Sequence, residues 1–438
     1  MKARVLAILF IFALPLALSF AQSSGEEYVV VLRPGQSIAA LNKTHGTQTV
    51  RQVPNKPIYL LKTADSALFN IKKVKEDNRV ELAEKNNRGK FSNGDDVFVD
   101  PALAQQMASL LDGSTLSTFY GTTVLQAYVD QPAVRITQLN KARSLSTGAG
   151  TRVAYIDTGV DFNHPALQPW LDPGIDLVMN RTASELDGLP EEPLLAQQMA
   201  SLLDGRLSFI LNQVMASLLD DDLNGPFPSA LGHGTLVAGI IHLFAPESRI
   251  VPIKAFDAYG NTTLFTIVEA IYRAKDLDVD VLNMSFSMNE NSDVMKKAIA
   301  DLKQSGITVV ASVGNDASDL KNLYPATYPH VIGVAATDFN DHLASFSNYG
   351  ASVSIAAPGA YVVSTVPGGK YAAAWGTSFS APIVAGTVAL LASGRGHGQS
   401  DSQMVLKNAD SIDSLNPGFE KQLGKGRINV QQALAAKP

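Results

Sequence analysis

The chain has 438 residues, 46% of them hydrophobic, which is ample for a large buried core. Its 35 basic and 41 acidic side chains leave a net charge of −6 with no long basic run to offset it, so nucleic acid is excluded as the main partner. The absence of cysteine excludes thiol catalysis, cysteine-ligated metal and support from disulfides.

In chain order, the first element is a signal-like segment. Lys2 and Arg4 precede the apolar stretch VLAILFIFALPLALSF, and SFA at 19–21 offers a small-residue cleavage site before Gln22. Residues 1–21 are expected to be a signal peptide. No later stretch reaches the ~18 apolar residues of a spanning helix, so the sequence predicts an exported chain without a stable membrane anchor.

A small segment follows, at about 26–86. EYVVVLRPG alternates as a strand does and stops at Pro-Gly. SIAALNKTHG has helical spacing and a glycine stop. IYLLKT is a second strand, SALFNIKKVKED a second helix and RVELAEK a last strand, giving a β-α-β-α-β pattern for a small α+β domain over 22–86. NNRGKFSNGDD predicts an exposed linker, so that 87–124 is expected to be a linker carrying a helical repeat segment. That segment is LAQQMASLLDG at 103–113, which recurs letter for letter at 195–205, with a partial copy, QVMASLLD, at 213–220. Leu207, Ile210, Leu211, Val214, Met215, Leu218 and Leu219 keep helical spacing, predicting amphipathic helices in an insert at about 185–225. The copies are too few and too unevenly spaced for a solenoid.

From about 125 to 438, apolar runs such as TRVAYIDTGVD, RIVPIKAFD, VDVLNMSFS, GITVVASVGND and HVIGVAATD alternate with helical stretches such as TLFTIVEAIYRAKD and DVMKKAIADLKQSG. Such runs fit buried parallel strands with covering helices, hence an α/β fold with helices on both faces of a mostly parallel sheet. Polar residues gather at the strand ends, where ligands bind in such sheets.

Four of those residues form a chemical set. Asp157 closes the apolar strand in VAYIDTGVD, and His233 lies between two glycines where a helix starts in GHGTLVAGIIHLF. Asn315 follows the strand in VVASVGND, and Ser378 lies in GTSFSAP, just before an apolar helix whose first turn would hold Pro382. Serine is a poor nucleophile unless an adjacent base takes its proton. Histidine is neutral yet basic near pH 7, a carboxylate fixes its tautomer and stabilises its charged form, and an amide can bind an oxyanion. Each residue alone has a plain reading, as turn, buried polar group or helix cap. The four together point to nucleophilic catalysis.

Other chemistries fit less well. There is no H-E-x-x-H. DLDVDV at 276–281 lacks the Gly and Glu of a calcium loop, GAGTRV at 148–153 precedes a strand rather than following one, and LDDDL at 219–223 reads as a solvated turn.

The boxes DTGVD, GHGTLVAG and GTSFSAP, extended by NMSFS, YPATYPHVIGVAATD, ASFSNYG and IAAPG, resemble the subtilisin-like serine proteases, or subtilases, over about 125–438. The resemblance implies a secreted endopeptidase with Ser378 as nucleophile, His233 as base, Asp157 as the orienting acid and Asn315 as oxyanion donor. It implies substrate-binding positions at Ser285, Phe286, Ser287, Gly314 and Leu323, and a packing role for Ser380. It likewise makes 22–86 resemble the family's inhibitory propeptide, with polypeptides as substrates, the propeptide as intramolecular inhibitor and a monomer as the expected state. A protease-like binding protein without activity is the alternative.

Some positions depart from the family pattern. Phe379 follows the nucleophile where Met is frequent, and Ser287 stands where Gly is usual. Leu323 replaces a Gly at the pocket base, so small or medium apolar side chains are expected there. No cofactor is expected. The family's strong calcium loop is absent after GHGTLVAGIIH, and one of its carboxylate ligands falls on Ala166, which leaves calcium open only at some other site.

Overall fold

A computed structural model describes residues 26–63, 69–90, 115–178, 230–394 and 400–436. The signal-like segment 1–21, the repeats at 103–113, 195–205 and 213–220, and the insert at 185–225 lie outside the described residues. The chain divides into two compact units, Met1–Gln52 with Pro57–Lys85, and Val53–Lys56 with Asn86–Pro438.

The smaller unit contains β1 (Glu27–Leu32), α1 (Ile38–His45), β2 (Thr47–Gln52), β3 (Ile58–Thr63), α2 (Ile71–Lys75) and β4 (Val80–Lys85). Its sheet has the order β2-β3-β1-β4, with β1 antiparallel to both β3 and β4. The α+β character agrees with the sequence reading, with one correction: β2 is an additional strand. Its burial alternates weakly, since only Thr47 is buried, so hydrophobic periodicity gave no sign of it. Helix α1 begins at Ser37, whose hydroxyl accepts from the Ala40 N–H at 3.3 Å, and ends at the left-handed Gly46. Val30, Leu32, Leu41, Leu61, Val74, Val80 and Ala83 form the core. At its edge Asp77 bonds Arg79 and His45, and the Arg79 guanidinium in particular holds the Asp77 carboxyl well below the usual range.

In the larger unit come β5 (Arg88–Lys90), β6 (Leu116–Phe119), β7 (Thr122–Leu125), the short helices α3 (Gln126–Val129), α4 (Pro132–Ile136) and α5 (Leu139–Ala142), then β8 (Arg152–Asp157) and β9 (Ile175–Asp176). They are followed by α6 (His233–Phe244), β10 (Arg249–Lys254), β11 (Asn261–Thr263), α7 (Leu264–Asp276), β12 (Val281–Met284), α8 (Asp293–Gln304), β13 (Thr308–Ser312), β14 (Val331–Thr337) and β15 (Ile355–Pro358). A hairpin, β16 (Val362–Val366) with β17 (Lys370–Ala374), leads to α9 (Thr377–Ala392), α10 (Ser400–Lys407) and α11 (Val430–Ala435).

Seven parallel strands form one sheet in the order β15-β14-β13-β12-β8-β10-β9. Strands β12, β13 and β14 are buried throughout, which is why they read as continuous apolar runs. Helices α6 and α9 pack together against the sheet, and α7 and α8 form a second packed pair. This is the α/β sandwich expected from the sequence. Its winding reverses at β8, which lies between β10 and β12. The carboxyl ends of β8 and β12 therefore flank the crevice in which open α/β sheets bind ligands.

Two boundaries differ from expectation. The hairpin of β6 and β7 starts at Leu116, ahead of the expected boundary at 125, yet belongs to the larger unit. Residues 88–90, expected as exposed linker, form β5, paired antiparallel with β11. That pairing uses backbone groups alone, so a polar sequence gives no sign of it.

Candidate active site

Asp157 ends β8 and is fully buried. Its Oδ1 accepts from the Thr158 N–H at 2.8 Å and from His233 Nδ1 at 2.8 Å. His233 is the first residue of α6, as its position between glycines implied. The next residue approaches β8 closely: the Gly234 N–H donates to Thr158 Oγ1 at 3.1 Å, and a Cβ there would stand 2.1 Å from the Gly159 carbonyl oxygen. Glycine thus lets α6 start against the end of β8 and brings the imidazole to the carboxylate. The Nδ1–H bond to Asp157 leaves Nε2 as the basic nitrogen.

Helix α9 starts earlier than the sequence predicted. Gly376 is its N-cap and Pro382 is inside the helix, so Ser378 belongs to the first turn rather than preceding it. Every residue of α9 is buried except Ser378. Its Oγ donates to the Ser285 carbonyl at 3.2 Å, and the Phe379 ring lies 5.5 Å from the His233 ring. The Ser378 N–H is among the first-turn donors that an α-helix cannot satisfy internally, and the positive end of the helix dipole adds to it.

Asn315 follows β13. Its Oδ1 accepts from the Thr377 N–H at 2.8 Å and from Thr377 Oγ1 at 2.9 Å. With the carbonyl side so engaged, Nδ2 is turned towards Gly376, where a Cβ would stand 3.4 Å away. Thr377 thus ties the Asn315 amide to the turn that carries the Ser378 hydroxyl.

The predicted substrate positions are distributed around that turn. Ser285 is buried after β12, and its Oγ accepts from Asn283 Nδ2 at 2.9 Å and donates to the Ser378 carbonyl at 2.8 Å. Phe286 points inward onto Phe256, with ring centroids 5.1 Å apart, so only its backbone can face a ligand. Ser287 is buried. Gly314 donates to Thr377 Oγ1 at 3.1 Å and lies under Leu323, whose Cδ2 would stand 2.4 Å from a Cβ there. Ser380 is buried and donates to the carbonyls of Ala357 and Pro358, a packing role. Sequence reasoning missed the supporting roles of Thr158, Asn283 and Thr377. They stood in the quoted stretches, but their partners come from other elements.

Residues 148–426 match the model of the subtilase family. The chain belongs to the subtilase family. The family is one of serine endopeptidases, and known relatives of this subtilase carry such names. It is 34% identical over 296 residues to the thermophilic serine proteinase of Bacillus sp. (strain AK1), an alignment covering 65% of this chain and 62% of that protein. It is 32% identical over 308 residues to thermitase of Thermoactinomyces vulgaris, covering 68% of this chain and 93% of the relative. Subtilisin DY of Bacillus licheniformis is 39% identical over 214 residues, or 46% of this chain and 77% of that protein. The crystal structure of a lanthipeptide protease superposes with a TM-score of 0.56 at 22% identity, covering 71% of this chain and 96% of that one, which shows the shared fold.

Ala166, the position at which the family resemblance implied a carboxylate ligand, is fully buried, and its N–H donates to His164 Nδ1 at 3.2 Å. Among the described residues, no cluster of three or more His, Asp or Glu side chains could hold a metal ion. No helix among them is long and apolar enough to cross a membrane.

Proposed function

We propose that this subtilase is a secreted serine endopeptidase that works through Asp157, His233 and Ser378 and is made as a self-processing precursor. The observation that carries this reading is the 2.8 Å bond from buried Asp157 to His233, with the ring of Phe379, the residue that follows the accessible Ser378 in α9, 5.5 Å from that imidazole.

His233 Nε2 takes the proton of Ser378 Oγ as Oγ attacks the substrate carbonyl carbon. The carbonyl π electrons move onto oxygen, and this oxyanion is held by Asn315 Nδ2 and the Ser378 N–H. Asp157 stabilises the imidazolium. The tetrahedral adduct collapses, the C–N bond breaks, and the imidazolium gives its proton to the departing amine. Water, deprotonated by the same imidazole, then releases the acyl group and restores Ser378.

Polypeptides are the substrates in this reading. Leu323 and Ser287 narrow the pocket for the residue that donates the cut carbonyl, favouring small or medium apolar side chains. Residues 1–21 direct export, and 22–86 act as the intramolecular inhibitor. Residues 88–90 already lie as a strand on β11, so the maturation cut falls C-terminal to Lys90. The mature enzyme is a monomer that needs no cofactor and takes no calcium beside Ala166.

A fluorophosphonate probe tests the reading. The mature protein should be labelled at Ser378, and the label should be lost in His233→Ala. An unlabelled mature protein would make it a protease-like binding protein instead.

A further inference from the structure

The hairpin of β16 and β17 is fastened to both helices of the candidate site. On one side β17 runs on towards α9: Val362 is level with Ala374, and the N-cap Gly376 and then Ser378 follow closely. On the other side β16 meets α6. The Ser364 hydroxyl donates to the Leu236 carbonyl at 2.7 Å, and the Thr365 hydroxyl donates to the Thr235 carbonyl at 2.8 Å. All four residues are fully buried. Thr235 and Leu236 belong to the first turn of α6, which His233 opens.

Successive residues of a strand point to opposite faces, yet both hydroxyls reach one helix. Gly239 makes this possible. A Cβ there would stand 2.2 Å from Thr365 Oγ1, 2.3 Å from Ser364 Oγ and 2.9 Å from the Thr365 backbone nitrogen. Helix α6 therefore lies against an edge of β16 rather than on a face, with Gly239 between the two hydroxyls. It is the edge that β17 leaves free. On the same edge, at Val363, the Gln131 side-chain amide stands in for a strand: it donates to the Val363 carbonyl at 2.8 Å and accepts from the Val363 N–H at 2.9 Å. The free edge is thus occupied by Gln131 and by α6.

Two bonds from adjacent strand residues fix the helix in two ways. A helix that slips by one residue moves about 1.5 Å along its axis and turns by about 100°. Neither movement keeps both carbonyls on their hydroxyls. The same turn is held a second time from the end of β8, where the Gly234 N–H donates to Thr158 Oγ1 at 3.1 Å and Thr235 Oγ1 accepts from the Asp161 N–H at 2.9 Å. Thr235 is thus held from both sides, by Asp161 through its hydroxyl and by Thr365 through its carbonyl. His233 lies two residues before it on that turn. Because β8 ends in Asp157 and the hairpin leads to Ser378, these contacts place the imidazole relative to both.

We infer that Ser364 and Thr365 are positioning residues for His233: their hydroxyls set the helix that carries the base against the hairpin that leads to the nucleophile. Both are buried and act only through α6. The inference rests on the endopeptidase reading above. A misplacement of about 1 Å can cost ~100-fold in rate. Loss of either hydroxyl should lower turnover rather than substrate binding, because the positions assigned to the substrate lie on other segments.

The test compares the mature native enzyme with Thr365→Val, which keeps the branched shape without the hydroxyl, Thr365→Ser, which keeps the hydroxyl, and Ser364→Ala. Steady-state kinetics on one peptide substrate, well below each variant's melting temperature, separate kcat from KM. Thr365→Val should lose at least about fivefold in kcat with KM within about twofold of native. Ser364→Ala should change in the same direction, and Thr365→Ser should keep most of the native kcat. Labelling of Ser378 by a fluorophosphonate should slow in step with kcat, since it too needs the base. Native kcat in both variants that lack a hydroxyl overturns the inference. So does a loss confined to KM, or one that Thr365→Ser shares in full, because these outcomes assign the pair to the cleft or to packing. Should Thr365→Val fail to fold, Ser364→Ala and Thr365→Ser still decide. If the native enzyme itself cuts no peptide and resists fluorophosphonate, the endopeptidase reading falls and the inference falls with it.

Discussion

Ser285 and Ser378 bond to each other twice, each hydroxyl donating to the other residue's carbonyl, at 2.8 Å from Ser285 and 3.2 Å from Ser378. The first bond depends on Pro382. A helical carbonyl normally accepts from the N–H four residues on, and for Ser378 that residue is Pro382, which has none. The carbonyl is thereby left for Ser285, which ties the start of α9 to the end of β12. Ser285→Ala should leave a buried carbonyl and the Asn283 amide short of a partner, at a cost of about 1–3 kcal/mol. Thermal unfolding should show a melting temperature lower by several degrees, with turnover reduced as Ser378 loosens. A variant with the native melting temperature would mean that this tie contributes nothing.

In the proposed mechanism, Asn315→Ala removes a donor needed mainly in the transition state. Turnover should fall about 100- to 1,000-fold, the size of loss known for the corresponding donor in subtilisin, with little change in KM. Steady-state kinetics on one peptide substrate are sufficient. An unchanged kcat would take Asn315 out of the oxyanion hole.

Ser378→Ala should accumulate as a precursor that retains residues 22–90 after export. Intact-mass measurement of the purified variant, incubated alone, is the check. Maturation at the native rate would mean that another protease makes the cut.

His242 in α6 is fully buried, stacked at 5.8 Å on Trp170 and edge-on at 5.3 Å to Phe119. Burial pushes its pKa down to about 3; the Pro246 carbonyl opposes this, while His164 and Arg143 add to it. The unfolded chain, with an ordinary histidine pKa of ~6.5, binds this proton more readily than the folded one. Stability therefore rises with pH across that interval: the cost is absent above pH ~6.5 and grows by up to ~1.4 kcal/mol per unit as pH falls towards 3. Urea unfolding between pH ~4.5 and ~7 should give a shallower pH slope for His242→Phe than for the native chain. Identical slopes would assign the acid sensitivity to other groups.

Phe379 packs against the His233 ring and contains no sulfur. Peroxide therefore cannot form a sulfoxide at the position next to Ser378. Residual activity after peroxide should decay much faster for Phe379→Met than for the native enzyme. Equal decay would place this side chain away from the chemistry.

The sequence by itself determined the parts of this protein that are local. Asp157 at the end of an apolar strand, His233 at the start of a helix between glycines, and the buried runs of β12, β13 and β14 were legible because period and punctuation are properties of neighbouring residues. Even so, one local signal misled: Pro382 suggested a helix start, whereas Gly376 had already begun the helix and the proline served to free a carbonyl. What joins distant segments was settled only in three dimensions. The carboxylate meets the imidazole because Gly234 lets α6 approach the end of β8, and Asn315 is oriented by Thr377, its partner from another element. Strand β5 is the extreme case, since its polar residues carry no pattern and its pairing with β11 uses only the N–H and C=O groups that every such segment has.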